Sequence, residues 1–119
     1  MKIIEPMVNK VILVGNVGAD PEIRTIPSGA KVANFSLATS ESWKNKSGER
    51  QTRTEWHKLV AFGDNLVRII KEFVKKGSKI YAEGNIRTEE YTDTSNVKRY
   101  STKIYVDTVK LLDSKGSLP

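Results

Sequence analysis

Trp56, Lys58, Val60 and Phe62 stand at alternate positions in a segment rich in β-formers, and they carry the most legible chemistry of the sequence. Successive side chains of a strand point to opposite faces, so these four share one face while His57, Leu59 and Ala61 share the other. The first face presents two aromatic rings with an ammonium group between them. Rings stack on unpaired bases and cations neutralise phosphates, so this combination suits a platform for single-stranded nucleic acid. An aromatic pair alone is more often core or subunit packing; Lys58 and the basic stretch beside it favour the platform. From Lys44 to Lys58 the chain holds Lys44, Lys46, Arg50, Arg53 and Lys58 against Glu49 and Glu55, beginning next to Trp43. That stretch is expected to clamp a phosphate backbone. Tyr91 opens a second hairpin, with Arg87 before it and Lys98 and Arg99 across the turn.

Catalytic chemistry finds few parts here. Cysteine is absent, which removes thiol catalysis, disulfides and cysteine-ligated metals. His57 is the only histidine, so a multi-histidine metal site is excluded, and the strand pattern turns it away from the aromatic face. Glu89 and Glu90 are neighbours on a strand and point to opposite sides, a poor geometry for paired carboxylates. Gly15 and Gly18 form a lone G-x-x-G without the Lys-Ser/Thr ending of a P-loop, and a turn explains them better. The expectation is a protein that is not an enzyme and holds no metal or cofactor.

The 119 residues fit one domain. Twenty Lys and Arg against fourteen Asp and Glu give a net charge of +6, which favours a polyanionic partner: nucleic acid or an acidic membrane surface. Apolar runs such as 11–14 and 59–62 fall far short of the roughly 20 residues needed to span a bilayer as a helix, so no transmembrane segment is expected. Residues 1–7 read as an N-terminal extension, 8–112 as the folded domain and 113–119 (DSKGSLP) as a C-terminal stub.

Residues 8–15 read as a β-branched strand that stops at Gly15, and 16–29 as turn and loop around Pro21 and Pro27. A second strand spans 30–40, a polar hairpin tip 42–53 and a third strand 54–63. Leu66, Ile69, Ile70 and Phe73 fall at i, i+3, i+4 and i+7, the stripe of one buried helix face. Asp64 or Asn65 is expected to cap this helix, with Lys75 and Lys76 at its carboxyl end and Gly77 stopping it. Period two resumes over 78–91, and the last strand covers 97–112. An all-β chain of five strands, with one helix between the third and fourth, is the layout of an OB-fold Greek-key barrel, which closes the exposed edges of a small sheet. The residues alone leave open an RNA-binding OB module and a protein-interaction domain whose aromatic face is covered by a partner.

Four blocks, taken together and in order, narrow this further: NKVILVGNVGADPEIR (9–24), VANFSLATSESW (32–43), TEWHKLVAFG (54–63) and KKGSKIYAEGNIRT (75–88). They resemble the bacterial and mitochondrial type of single-stranded DNA-binding protein over nearly all of 8–112. The resemblance implies an OB-fold homotetramer that wraps single-stranded DNA with little sequence preference in replication, recombination and repair. It implies base stacking by Trp43, Trp56, Phe62 and Tyr91, phosphate contacts by Lys10, Arg24, Lys58, Lys76, Arg87 and Arg99, and a subunit-interface position for His57. Location in the bacterial cytoplasm with the nucleoid, rather than in a mitochondrion, goes with it. Relatives recruit replication and repair proteins through a flexible linker and an acidic tip, and neither stands in this sequence. Glu89 and Glu90 also depart from the family, where residues near Tyr91 are often basic.

Overall fold

The computed structural model describes residues 6–112; residues 1–5 of the expected extension and the expected stub at 113–119 lie outside them. Alternating apolar residues build β1 (Val11–Val17), β2 (Glu22–Thr25), β3 (Lys31–Lys44), β4 (Arg50–Phe62), β5 (Lys79–Thr92) and β6 (Lys98–Leu111), with α1 (Asp64–Phe73) between β4 and β5. The sheet runs β1, β5, β6, β4, β3, and β3 pairs back to β1, so five strands close an OB-fold barrel. The short β2 is a sixth strand attached to β3, where the sequence reads as loop. Four residues between two prolines are too few to display a period.

Two seams close the barrel. At the first, Asn16 lies opposite both Lys79 of β5 and Ala38 of β3 as β1 passes from one neighbour to the other. Gly15 makes that close approach possible, because a Cβ there would sit 2.2 Å from the Ala38 carbonyl oxygen. At the second, Leu59, Val60 and Ala61 pair in parallel with Ile104, Tyr105 and Val106. Inward-facing Ala33, Phe35, Leu37, Leu59, Ala61, Ile80, Ala82, Ile104 and Val106 form the core with Val17 and the helix.

The helix is rotated from the expected stripe: Ile70 is buried and Leu66 packs against the core as expected, but the other two positions are not. Val67, Ile70 and Val74 are buried, whereas Ile69 and Phe73 are exposed. Successive residues lie about 100° apart on a helix, so Val67 and Val74 adjoin the Leu66–Ile70 side, and packing against the barrel favours that side over Ile69 and Phe73. Its ends also differ. Gly63, at φ +100°, occupies the N-cap without a side-chain cap, and Asp64 is already the first helical residue. The helix stops at Phe73, where Val74 is extended and its N–H donates to the Ile70 carbonyl at 3.0 Å. Lys75 and Lys76 follow the helix. Gly77 has a positive φ, but in the turn into β5, where its N–H donates to the Val17 carbonyl at 2.8 Å.

The hairpins are longer than the sequence reading allows. Lys44 already pairs with Arg50, so most of the expected tip at 42–53 is strand. Asn45 closes this turn by accepting the Ser47 and Glu49 N–H groups on Oδ1, each at 2.9 Å. Asp93 closes the β5–β6 turn in the same way, accepting from Ser95 at 2.9 Å and Val97 at 3.0 Å. The Val97 N–H and the Arg99 guanidinium hold the Asp93 carboxyl below the ordinary aspartate range. At the other end, β1 starts at Val11 rather than Val8, and the Asn9 side chain extends the β1–β5 edge instead. Its Nδ2 donates to the Ile86 carbonyl at 2.8 Å while its Oδ1 accepts the Ile86 N–H at 2.9 Å.

The choice of helix face gives a stability contrast. Ile70→Ala should cost about 2 to 5 kcal/mol by urea unfolding, because it opens a cavity in the core. Ile69→Ala should change stability by about 0.5 kcal/mol or less, as exposed substitutions do. Equal costs would favour the stripe expected from the sequence.

Candidate nucleic-acid interface

Pairing registers show which side chains share the outside of the barrel. Trp56 lies opposite Ala38, Lys58 opposite Ser36 and Phe62 opposite Val32, all on the outward side of β3 and β4. The parallel seam sets outward Val60 beside Tyr105, and Tyr105 lies opposite Asn85 of β5. Along β5 and β6 the same side carries Arg87 opposite Lys103, Glu89 opposite Ser101 and Tyr91 opposite Arg99. Arg24 of β2, opposite Val32, stands at the far edge of this face. Six expected residues, Trp56, Lys58, Phe62, Arg87, Tyr91 and Arg99, therefore come together, with Arg24 at their margin.

Trp56 is 61% exposed, a large cost for an indole in water unless something covers it. With Lys58, Tyr91, Tyr100 and Ser101 it lines an open cleft of about 360 Å³. Its ring rests over Gly18: a Cβ on that glycine would fall 2.4 Å from Trp56 Cζ3. Phe62, 45% exposed, stands parallel to the Tyr105 ring at a centroid separation of 5.6 Å and an interplanar angle of 9°. The Arg87 guanidinium carbon lies 4.4 Å from the Tyr105 ring centre, in cation–π contact. Phe62, Tyr105 and Arg87 line a second cleft of about 790 Å³ with Asn65 and Asn85.

Other expected residues stand apart. Trp43 is opposite Gln51, and strict alternation puts it on the same side of the β3–β4 ribbon as His57, the reverse of Trp56. Lys76 lies in the turn after the helix, its backbone N–H donating to Asp20 Oδ1 at 2.8 Å. Lys10 lies just before β1, with its ammonium 3.1 Å from Glu83, and this hydrogen bond raises its pKa. His57 is half-buried, its Nε2 2.9 Å from Thr39 Oγ1.

The cations differ in availability. Arg24 is held by Glu22 at 2.6 Å, Arg99 by Asp93 at 2.9 Å and Lys98 by Glu90 at 3.4 Å. Among the described residues, Lys58, Arg87 and Lys103 have no carboxylate in ion-pair contact. Lys58 and Lys103 line one further cleft of about 390 Å³ with Ser36 and Asn34. The sequence reading missed Tyr100, Lys103 and Tyr105. Tyr105 had a visible signal: it is an aromatic on the polar phase of β6, between inward Ile104 and Val106.

A closed five-strand barrel carrying exposed rings and free cations on one side defines an OB-fold of the oligonucleotide-binding class. Residues 8–112 match the single-strand binding protein family, and the chain belongs to that family. It is 48% identical over 114 residues to single-stranded DNA-binding proteins of Rickettsia felis and Rickettsia typhi, covering 92% of this chain and 75% of each relative. A solved structure described as the Plasmodium falciparum SSB complex with ssDNA superposes with a TM-score of 0.84 at 32% identity. The match covers 93% of this chain and all of that one.

The contact between Gly18 and Trp56 yields a local test. Gly18→Ala should leave the fold intact, because the half-free indole can swing away, and should shift the tryptophan emission spectrum. Affinity for oligo(dT) should fall about tenfold, in the range of one lost base stack. Unchanged emission would show that the ring does not depend on the bare glycine.

Proposed function

We propose that this chain binds single-stranded DNA with little sequence preference and protects it during replication, recombination and repair. The observation that carries this reading is the single outward face on which Trp56, Lys58, Phe62, Arg87 and Tyr91 stand together. Base stacking needs only a π-face, which every base offers, and phosphate neutralisation reads no sequence. Trp43, on the opposite side of the β3–β4 arm, meets the strand where it passes around that arm. Lys10, Arg24, Lys76 and Arg99 add phosphate contacts at the margins, and those held by carboxylates exchange a weak surface ion pair for a phosphate.

Residues 8–112 constitute the binding domain in this reading, and the protein acts without catalysis. It assembles as a homotetramer with His57 at a subunit interface, where the half-buried imidazole and its Thr39 partner leave the aromatic face free. The Rickettsia relatives favour a bacterial cytoplasmic setting with the nucleoid. Among the described residues, no helix is long and apolar enough to cross a membrane.

Titration of tryptophan fluorescence with oligo(dT), against duplex DNA and oligo(U), tests the binding. Strong quenching by oligo(dT), a weak duplex response and affinity falling with salt are expected; no quenching at low salt overturns the reading. Trp56→Ala should lose about 1 to 3 kcal/mol with the salt slope unchanged. Lys58→Ala should instead flatten the slope of log affinity against log salt by about 0.7, one phosphate contact. Light scattering should give four times the chain mass, and a monomer would remove the tetramer.

A further inference from the structure

The row Phe62, Tyr105 and Arg87 crosses three neighbouring strands, since β6 lies between β4 and β5. Tyr105 is therefore flanked on one side by the Phe62 ring, parallel to within 9°, and on the other by the Arg87 guanidinium, 4.4 Å from its ring centre. Tyr105 is part-buried between these two neighbours, which leaves less of it open to a base. Phe62 is different: it ends the row and is 45% exposed beside the cleft lined by Asn65 and Asn85. The Tyr105 hydroxyl, at the far end of the ring, donates to Glu89 Oε1.

We infer that Tyr105 is a positioning residue for DNA binding, the middle layer of a stack that holds Phe62 upright as the wall against which a nucleobase rests. The inference builds on the single-strand reading of this face. A phenylalanine on an open strand surface samples several rotamers, and binding would have to select one. A ring already held by a parallel neighbour avoids that ordering cost. The ring-to-ring stack, rather than the hydroxyl contact to Glu89, carries this positioning.

The test compares Tyr105→Val, Tyr105→Phe, Phe62→Ala and the Tyr105→Val/Phe62→Ala pair in oligo(dT) titrations. Valine suits the strand but removes the stacking ring. Tyr105→Val should weaken binding about three- to tenfold, the range of one aromatic pair, while Tyr105→Phe should restore it to within about twofold of wild type. In the Phe62→Ala background, Tyr105→Val should have no further effect, because there is no ring left to position. If Tyr105→Val melts below the assay temperature, Tyr105→Leu is held to the same criterion.

Rescue by phenylalanine together with loss of the valine effect in the double variant supports the positioning role. Wild-type affinity in Tyr105→Val, failure of phenylalanine to restore binding, or a full additive loss in the double variant overturns it while leaving the single-strand reading intact. Absence of oligo(dT) binding by the wild-type protein overturns both.

Discussion

The parallel seam between β4 and β6 is the contact on which the binding face depends. It comprises three residue pairs, Leu59 with Ile104, Val60 with Tyr105 and Ala61 with Val106. A parallel ladder is slightly weaker per residue than an antiparallel one, and a ladder this short has little strength of its own. Burial supplies the rest, because Leu59, Ala61, Ile104 and Val106 all point into the core from this seam. Outside, the same pairing joins two hairpins that are each internally complete. Without it, β3–β4 and β5–β6 would keep their own ladders, but Phe62 would lose Tyr105 and Trp56 would lose the cleft it shares with Tyr91. The apolar burial that closes the barrel is thus also what assembles the site.

The net charge of +6 describes the supply of cations less well than their pairing does. Two of the expected arginines are held by nearby carboxylates, Arg24 by Glu22 and Arg99 by Asp93. Among the described residues of this face, Lys58, Arg87 and Lys103 have no carboxylate in ion-pair contact, and they lie toward its middle, between or beside the rings. Exposed ion pairs contribute little to stability, so under the proposed function Arg24 and Arg99 are inexpensive to release to a phosphate. Glu89 and Glu90 are similarly engaged: Tyr105 donates to one and Lys98 pairs with the other. Their charge remains, but its position is fixed by these contacts.

Much of this was legible in the sequence where a period of two ran long enough. The alternation through Trp56, Lys58, Val60 and Phe62 fixed the outward phase of β4, and the strand and helix order pointed to the five-strand barrel. Features set by tertiary contact were not legible. β2 is four residues long and owes its existence to the free edge of β3. The helix has apolar residues on both sides of Leu66 and Ile70, and only the barrel end distinguishes Val67 and Val74 from Ile69 and Phe73. The resemblance sets Trp43 beside Trp56 as a stacking residue, yet the β3–β4 register puts them on opposite sides of the ribbon. Gly18 read as a turn residue; its role beneath Trp56 depends on β1 running past Ser36, a long-range fact. Tyr105 carried a local signal, an aromatic out of phase with its apolar neighbours, but its partners on two other strands could not be read from β6 alone.

The aromatic residues are held to different degrees, and the difference follows the architecture. Phe62 and Trp56 sit where strands lie over the packed core, one against Tyr105 and the other over Gly18. Trp43 and Tyr91 sit on hairpin arms whose residues are exposed on both sides, beyond the reach of that core. A two-stranded ribbon without a core is marginally stable, so these arms rely on local devices. Hydroxyl pairs Ser40 with Thr54, Ser42 with Thr52 and Thr88 with Thr102 span them, and Asn45 and Asp93 close their turns. Such contacts preserve strand pairing without tying either arm to the core. A ligand of variable sequence has a fixed stacking chemistry and a variable backbone path. Under the proposed function, rings set against the barrel suit the first, because neighbours limit the ordering cost, and arms without a core suit the second, because following the path would break no core.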